Sequence, residues 1–406
     1  MSFRDLKITQ IPFRLRLRQA RLMHVHLGGN SMSAKRLGIG LIGTGNISSA
    51  YLKAILGKDG MPGFPVLDIK GLADMRPEAA AARAAEFGLK AMSIDELLAD
   101  PEIALVINLT IPRAHVEVGL KCLAASKHVY SEKPLGVTYA EGRKLLDAAN
   151  AAGLRIGSAP DTFLGGSHQQ ARAVVDSGVL GQLVGGTAFM LSPGHESWHP
   201  DPAFYYDLGG GPMLDMGPYY ITDLVNLLGP VALVSAMSSR LRTERTITSD
   251  PKKGQTMPVR IDTHVTGALG FANGAIVQIG MSFDVAGHKH VPLEIYGTEQ
   301  SLIVPDPNFF GGALETRKRG REEQWQSVPV AQPYADGNYR SLGVADMALA
   351  ILENRPHRAN GDLALHVLEV MEAFEHAASQ GRSVEIKTPV ERPAPLAESL
   401  RDGRLG

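Results

Sequence analysis

A chain of 406 residues, 44% hydrophobic and 20% charged, has the length for two domains that each bury a core. Its formal net charge of -1 sets up no field toward nucleic acid or anionic lipid. No apolar run approaches the roughly 20 residues that span a bilayer, so the expected partners are small molecules.

Residues 1–34 read apart from the rest. Phe13-Arg14-Leu15-Arg16-Leu17-Arg18 alternates apolar and basic residues without the apolar core of a secretory signal. Met32-Ser33-Ala34-Lys35-Arg36 resembles a natural beginning, so this stretch is expected to be a poorly ordered extension. From Arg36 the pattern alternates. Leu37–Ile42 predicts a strand, the helix-compatible run Tyr51–Leu56 follows, and Val66–Leu72 predicts a second strand. Helices are expected over Pro77–Phe87 and Ile94–Leu98, a buried strand over Ala104–Leu109, and a helix over His115–Ala125. Lys127–Tyr130 and Leu154–Gly157 read as strands flanking a helix at Tyr139–Ala152. Repeated units of this length point to an α/β doubly wound parallel sheet over 35–157. The lone cysteine, Cys122, falls within one of these helices as a small buried thiol, and it excludes an intrachain disulfide, which fits a reducing, cytoplasmic setting.

Beyond Gly157 the character changes. After a helix at Ser167–Ser177, strand-like runs follow at Val184–Leu191, Val231–Ser238, Thr263–Phe271, Ala275–Phe283, Val291–Tyr296 and Ser301–Val304. Asn273-Gly274 is a hairpin signal within this series. Together they predict an α+β domain over 158–385 with an open, mostly antiparallel sheet, closed by helices at Leu342–Leu352 and Leu363–Ser379. Such a sheet needs its second face covered, by helices or by another subunit. A proline-rich tail over 386–406 is expected at the surface.

Gly43-Thr44-Gly45-Asn46-Ile47 sits between the first strand and the first helix. That order suits a dinucleotide pyrophosphate: one glycine makes the turn, the next admits phosphate oxygens, and the helix N-terminus offers free N–H groups. Ser48 replaces the third glycine of the fingerprint. Asp74, ending the second strand, is placed to accept the ribose hydroxyls and favours NAD, while Arg76 argues for NADP. Capping the helix that begins at Pro77 is the competing role for Asp74. Gly57–Phe64 reads as a loop insertion that lengthens the spacing from the glycines.

Two further clusters carry possible chemistry. Glu132-Lys133-Pro134 ends a strand at the ligand crevice of such a sheet. A lysine there can bind a substrate hydroxyl, although to accept a proton its pKa must first be lowered, and an exposed turn lysine is the competing reading. Gly209-Gly210-Gly211-Pro212 leads into a helix expected at Tyr220–Leu228, with Asp215 and Tyr219 four residues apart near its start. A carboxylate and a phenol converging on a lysine form a proton-transfer set. Asp215 as an N-cap and Tyr219 as a core aromatic are the structural alternatives. No tight ligand spacing marks a metal site.

Taken in order, Gly43–Ile47, Pro112 with His115, Glu132-Lys133-Pro134 and Gly209–Asp223 resemble the Gfo/Idh/MocA oxidoreductases, over about Lys35 to Phe374. The resemblance implies that Lys133 is the catalytic lysine and that Asp215 orients substrate. The family's usual acid–base histidine falls on Tyr219, a departure shared with members of the glucose–fructose oxidoreductase type. The same analogy puts Thr110, Pro112, His115 and Glu132 on the nicotinamide side of a bound cofactor. Trp198 and His199 then become candidates for the substrate pocket, with Asp161, Phe163 and His168 behind them. The expected function is an NAD(P)-dependent oxidoreductase acting on a secondary alcohol or ketone of a sugar or polyol, working as a homodimer or homotetramer through the open sheet. A catalytically silent nucleotide sensor, or an enzyme using NAD transiently for epimerisation or elimination, is the competing function.

Overall fold

The computed structural model describes residues 36–396; the expected extension over 1–34 lies outside them. The first sheet is built from β1 (Leu37–Ile42), α1 (Asn46–Leu56), β2 (Leu67–Ala73), α2 (Pro77–Phe87), α3 (Ile94–Ala99), β3 (Leu105–Asn108), α4 (His115–Ala124), β4 (His128–Ser131), α5 (Tyr139–Ala152) and β5 (Ile156–Ser158). Its strand order is β2-β1-β3-β4-β5, and every pairing is parallel. All four residues of β3 are buried, as a strand covered by helices on both faces requires. The order reverses between β1 and β3, which puts the ligand crevice at the carboxyl ends of those strands.

The chain then forms α6 (Gly166–Asp176), β6 (Leu183–Leu191), α7 (Pro212–Leu228), β7 (Val231–Ser239), β8 (Glu244–Thr246), β9 (Thr256–Pro258), β10 (His264–Phe271) and β11 (Ile276–Ser282). It continues through β12 (Leu293–Gly297), β13 (Gln300–Val304), β14 (Leu314–Lys318), β15 (Gln326–Val328), α8 (Leu342–Glu353), α9 (Gly361–Gln380) and β16 (Val384–Glu385). Nine strands form one sheet in the order β15-β14-β13-β12-β6-β11-β10-β7-β16. Every pairing is antiparallel except β6 with β11. Helices α7 and α9 cover one face. On the other face the register aligns Leu233 with Ile276 through Gly270, and Leu233, Met237 and Ile276 are exposed.

Two features depart from the sequence reading. Helix α7 starts at Pro212, eight residues before Tyr220, because proline at the first helical position has no N–H to leave unpaired; Pro218 then sits inside the helix. Helix α8 packs on β1 and β5 of the first sheet, not on the second. The described part of the tail is held to α6: Arg172 donates to the Pro393 carbonyl (3.1 Å), and Leu396 N donates to Gln169 (2.8 Å). Burial pushes the Cys122 thiol up to about 12, which leaves it an inert packing group. Among the described residues no helix is long and apolar enough to cross a membrane.

Candidate active site

The turn after β1 is built for close approach. Gly43 has φ +101°, and a Cβ there would strike the Leu109 carbonyl at 2.6 Å; a Cβ on Gly45 would meet nothing within 4 Å. Helix α1 has no side-chain cap and no acidic residue in its first turn, so no side chain of the helix competes with an anion for its first N–H groups. Gly45 and Asn46 are exposed and Ile47 half-buried at this edge, while Ser48 is buried against the strand and bonds back to the Gly45 carbonyl (2.6 Å). These residues fit a dinucleotide pyrophosphate.

Asp74 is tied into the same turn. Its Oδ2 accepts from Thr44 N (2.8 Å) and Thr44 Oγ1 (3.0 Å), and its Oδ1 accepts from Arg76 N (3.0 Å). Partial burial would raise its pKa, but these bonds outweigh burial and lower it, so a carboxylate stands at the end of β2. It does not cap α2, whose N-cap is Arg76. The Arg76 side chain is largely exposed beside it.

The lysine and the acid–phenol couple meet. Lys133 lies just past β4, directly ahead of a cis Lys133–Pro134 peptide, and its Nζ donates to Asp215 Oδ1 (2.8 Å) and to the Asp215 main-chain oxygen (2.7 Å). The same Nζ lies 5.1 Å from the Tyr219 ring centre. Both Asp215 and Tyr219 lie on α7, one turn apart on one face. Asp215 is neither an N-cap nor exposed, since Gly211 caps the helix. Burial works against the Lys133 charge, but Asp215, Tyr219 and Glu132 outweigh it and hold the ammonium above its ordinary value. The lowering that a proton-accepting lysine needs is therefore absent, and Lys133 is a permanent cation and donor. Asp215 answers in kind: burial alone would raise its pKa, yet Lys133 and His195 lower it to about 2.

The surrounding loops are held by buried polar groups. Asn108, ending β3, accepts from Thr110 Oγ1 (2.7 Å) and donates to the His115 carbonyl (2.9 Å). Half-buried Pro112 opens the short turn between them. His115 does not reach the crevice: it is fully buried, with its ring nitrogens on the carbonyls of Pro134 (2.8 Å) and Thr110 (2.9 Å). Burial lowers its pKa, and it ties two crevice loops together. Glu132 accepts from the Tyr51 hydroxyl (2.8 Å) and from Lys133 N (2.9 Å), joining α1 to the lysine.

Three substrate candidates are spent elsewhere. Asp161 accepts from Ser341 N (3.0 Å) and Gly343 N (2.9 Å), so it caps α8. Phe163 is 1% exposed in the core, and His168 is fully buried between Asp223 Oδ2 (2.8 Å) and the Phe309 carbonyl (2.9 Å). Burial raises the Asp161 pKa to about 6, so the native state binds its proton more tightly than the unfolded chain and this acid's contribution to stability falls as pH rises from about 4 through 6. Relative to Asp161→Asn, the wild type is expected to lose up to roughly 3 kcal/mol over that interval. Denaturant titrations at pH 4 and 7 check this; equal differences at both would refute it.

Trp198 and His199 lie in the loop between β6 and α7, with the Trp198 ring 5.2 Å from that of His195. The Trp198 and His199 rings meet edge to face (5.4 Å), and His199 also meets Phe204 and Tyr205. Trp198 is 61% exposed, which leaves an aromatic face free at the surface. Sequence reasoning missed two neighbours of the set. His195 Nε2 sits 3.3 Å from Asp215 Oδ2, and the Arg340 guanidinium lies beside the Tyr219 phenol, held by Asn308 (2.9 Å) and Asn338 (2.9 Å). The sequence signal was present for His195, in the Pro193-Gly194 break that ends β6 just ahead of it. Two cavities flank this region, about 470 Å³ beside α1 and about 700 Å³ behind Gly209–Leu214, and Lys133, Asp215 and Tyr219 line neither. The chemistry, not the larger hollow, marks the site.

Comparison with known proteins identifies the family. Residues 37–159 match the oxidoreductase family with an NAD-binding Rossmann fold, and residues 168–303 match the GFO/IDH/MocA C-terminal domain. An uncharacterised oxidoreductase of Schizosaccharomyces pombe is 30% identical over 322 residues, covering 72% of this chain and 84% of its own. Levoglucosan dehydrogenase of Pseudarthrobacter phenanthrenivorans is 27% identical over 293 residues, 66% of this chain and 73% of its own. The 1,5-anhydro-D-fructose reductase of Ensifer adhaerens is 25% identical over 356 residues, 86% of this chain and 98% of its own. Among solved structures, a levoglucosan dehydrogenase in complex with NADH superposes with a TM-score of 0.74 at 22% identity, covering 87% of this chain and 100% of that one. With a glycine turn free to take a pyrophosphate and a fixed lysine at its crevice, the chain belongs to the GFO/IDH/MocA family of oxidoreductases.

Proposed function

We propose that the protein is an NAD(P)-dependent dehydrogenase or reductase acting on a secondary alcohol or ketone of a sugar or polyol. The observation that carries this reading is the convergence of Lys133, from the end of β4, with Asp215 and Tyr219, from α7. Its relatives include a levoglucosan dehydrogenase and a 1,5-anhydro-D-fructose reductase, both named for carbohydrates. Residues 35–157 hold the nucleotide, through Gly43, Thr44, Gly45, Asn46, Ile47 and Asp74, with Thr110, Pro112 and Glu132 toward its nicotinamide end. Residues 158–385 supply the substrate side.

Bound NAD supplies the redox chemistry, as acceptor or donor of a hydride. The protein supplies position and proton handling. Lys133 has three N–H groups, two of them committed to Asp215; the third is left for the substrate oxygen. In oxidation the phenolate form of Tyr219 takes the proton from that oxygen and becomes the phenol, and in reduction the phenol gives the proton back. Lys133 and Arg340 are fixed cations beside the phenol, where charge develops as the proton moves. Trp198 offers a flat apolar face for the C–H surface of a sugar ring.

The test is a panel of sugars and polyols assayed with NAD and with NADP at the reduced-nicotinamide absorbance band. Turnover of at least one carbohydrate is expected, faster with NAD. Asp74→Ala is expected to weaken NAD binding by at least about 10-fold, since a charge-assisted hydrogen bond is worth roughly 1.5–3 kcal/mol. Unchanged affinity in that variant, measured by fluorescence titration, would move the preference to Arg76 and NADP.

The exposed row of Leu233, Met237 and Ile276 on the uncovered sheet face supports pairing with a second copy of the chain, as a homodimer or homotetramer. Light scattering in solution checks this. The buried, unreactive thiol of Cys122 is in keeping with work in the cytoplasm.

A further inference from the structure

Beyond β6 the chain turns through Pro193-Gly194 and delivers His195 into the protein, 91% buried by its 9% exposure. Its ring stacks on Tyr205 (centroids 3.9 Å, 20°), meets Phe283 edge-on (4.5 Å, 76°) and lies 5.2 Å from Trp198. The backbone is fixed as firmly as the ring. His195 N donates to the Tyr206 hydroxyl (3.0 Å), which donates to Glu196 Oε2 (2.5 Å). Glu196 pairs with Arg245, which also pairs with Asp284 and lies 4.9 Å from the Tyr206 ring centre. Arg245 sits on β8 and is 3% exposed. The β8–β9 hairpin, outside both large sheets, thus braces the loop that carries His195.

The ring reaches one polar group. Nε2 lies 3.3 Å from Asp215 Oδ2, and Nδ1 is buried without a hydrogen-bond partner. A proton on Nδ1 alone would leave a buried donor unpaired and set the Nε2 lone pair against a carboxylate oxygen. With the proton on Nε2, the ring donates to Asp215, and Nδ1 carries only a lone pair. Asp215 is then gripped from both sides, Oδ1 by Lys133 and Oδ2 by His195.

The geometry points to His195 as a positioning residue that locks the Asp215 carboxylate, and through it the Lys133 ammonium, so that the third Lys133 N–H faces the substrate oxygen. The inference rests on the assignment of Lys133 as the substrate-binding cation. His195 does not touch the reacting atoms; it acts through Asp215. Such second-layer partners matter because small misplacements of a catalytic group are costly in rate.

Two variants separate the hydrogen bond from the packing. His195→Phe keeps an aromatic ring in the slot and removes the donor; His195→Gln restores an N–H near the Nε2 position. His195→Phe is expected to lower kcat by roughly 10- to 100-fold, with NAD affinity and Tm close to wild type. His195→Gln is expected to recover most of that loss. A His195→Phe enzyme within twofold of wild type, or a His195→Gln enzyme no better than His195→Phe, would overturn the inference. A readout without turnover keeps this separate from the function itself: ¹⁵N NMR of the His195 ring in the intact protein should show a protonated Nε2 and a bare Nδ1. A proton on Nδ1 would overturn it even in a protein that oxidises no carbohydrate. Loss of turnover in the wild type, with the Nε2–H ring intact, would count against the proposed function and leave the Asp215 lock standing.

Discussion

Lys133→Met is expected to lower kcat by at least about 10³-fold while the NAD dissociation constant stays within a few-fold of wild type. Methionine matches the length of the lysine stem but removes the charge and all three donors. Losing a single preorganised donor to developing negative charge already costs about 10²–10³ in kcat, and here the fixed cation goes as well. Nucleotide affinity survives because the groups that would hold the pyrophosphate and ribose, at Gly43–Ile47 and Asp74, do not touch Lys133. The variant also leaves Asp215 without its cation, and breaking a buried pair costs roughly 3–5 kcal/mol. His195 still donates to Asp215, which puts the expected loss toward the lower end. Rates are therefore compared below the Tm of the variant, with binding read by fluorescence titration. Full turnover would remove Lys133 from the chemistry.

Tyr219→Phe carries the second large effect, a loss of roughly 10²–10⁴-fold in kcat, the span of a positioned acid–base group. The ring is 7% exposed and packs in the core, so phenylalanine preserves its volume and the Tm should hold. What disappears is the hydroxyl that takes or returns the substrate proton, together with its interaction with Arg340. A steady-state comparison with the wild type checks this across pH. A fall in kcat with KM nearly unchanged assigns the hydroxyl to the transition state, and an unchanged kcat would leave Tyr219 as a packing residue.

Much of this site was legible because its parts are local. A buried strand, a glycine turn and a helix occupy Leu37–Leu56 in sequence order, so β1 and the pyrophosphate turn follow from contiguous residues. The same holds for Glu132-Lys133-Pro134 at the end of β4, and for Asp215 and Tyr219, whose spacing of four sets them on one face once α7 exists. Illegible were the pairings made at long range. Asp161 is consumed by the amides of Ser341 and Gly343, some 180 residues on, and nothing near Asp161 signals a helix that begins so far away. His168 vanishes likewise against Asp223, and His115 against two carbonyls. His195 reaches Asp215 only because the β8–β9 hairpin, two three-residue strands too short to show a period, braces its loop through Arg245. The early start of α7 was hidden for another reason: the helix opens directly on the glycine run with Pro212 at its first position and carries Pro218 inside it, so the segment before Tyr220 shows no plain helical pattern.

The central claim is that one substrate oxygen lies between the Lys133 ammonium and the Tyr219 hydroxyl. A crystal structure of the protein with NADH and a carbohydrate it turns over tests this most directly. The account predicts the reacting oxygen within about 3 Å of both Lys133 Nζ and Tyr219 Oη, hydrogen-bonding range for each. A reacting oxygen held by other groups, with Lys133 still closed on Asp215 and turned away from the sugar, would contradict it.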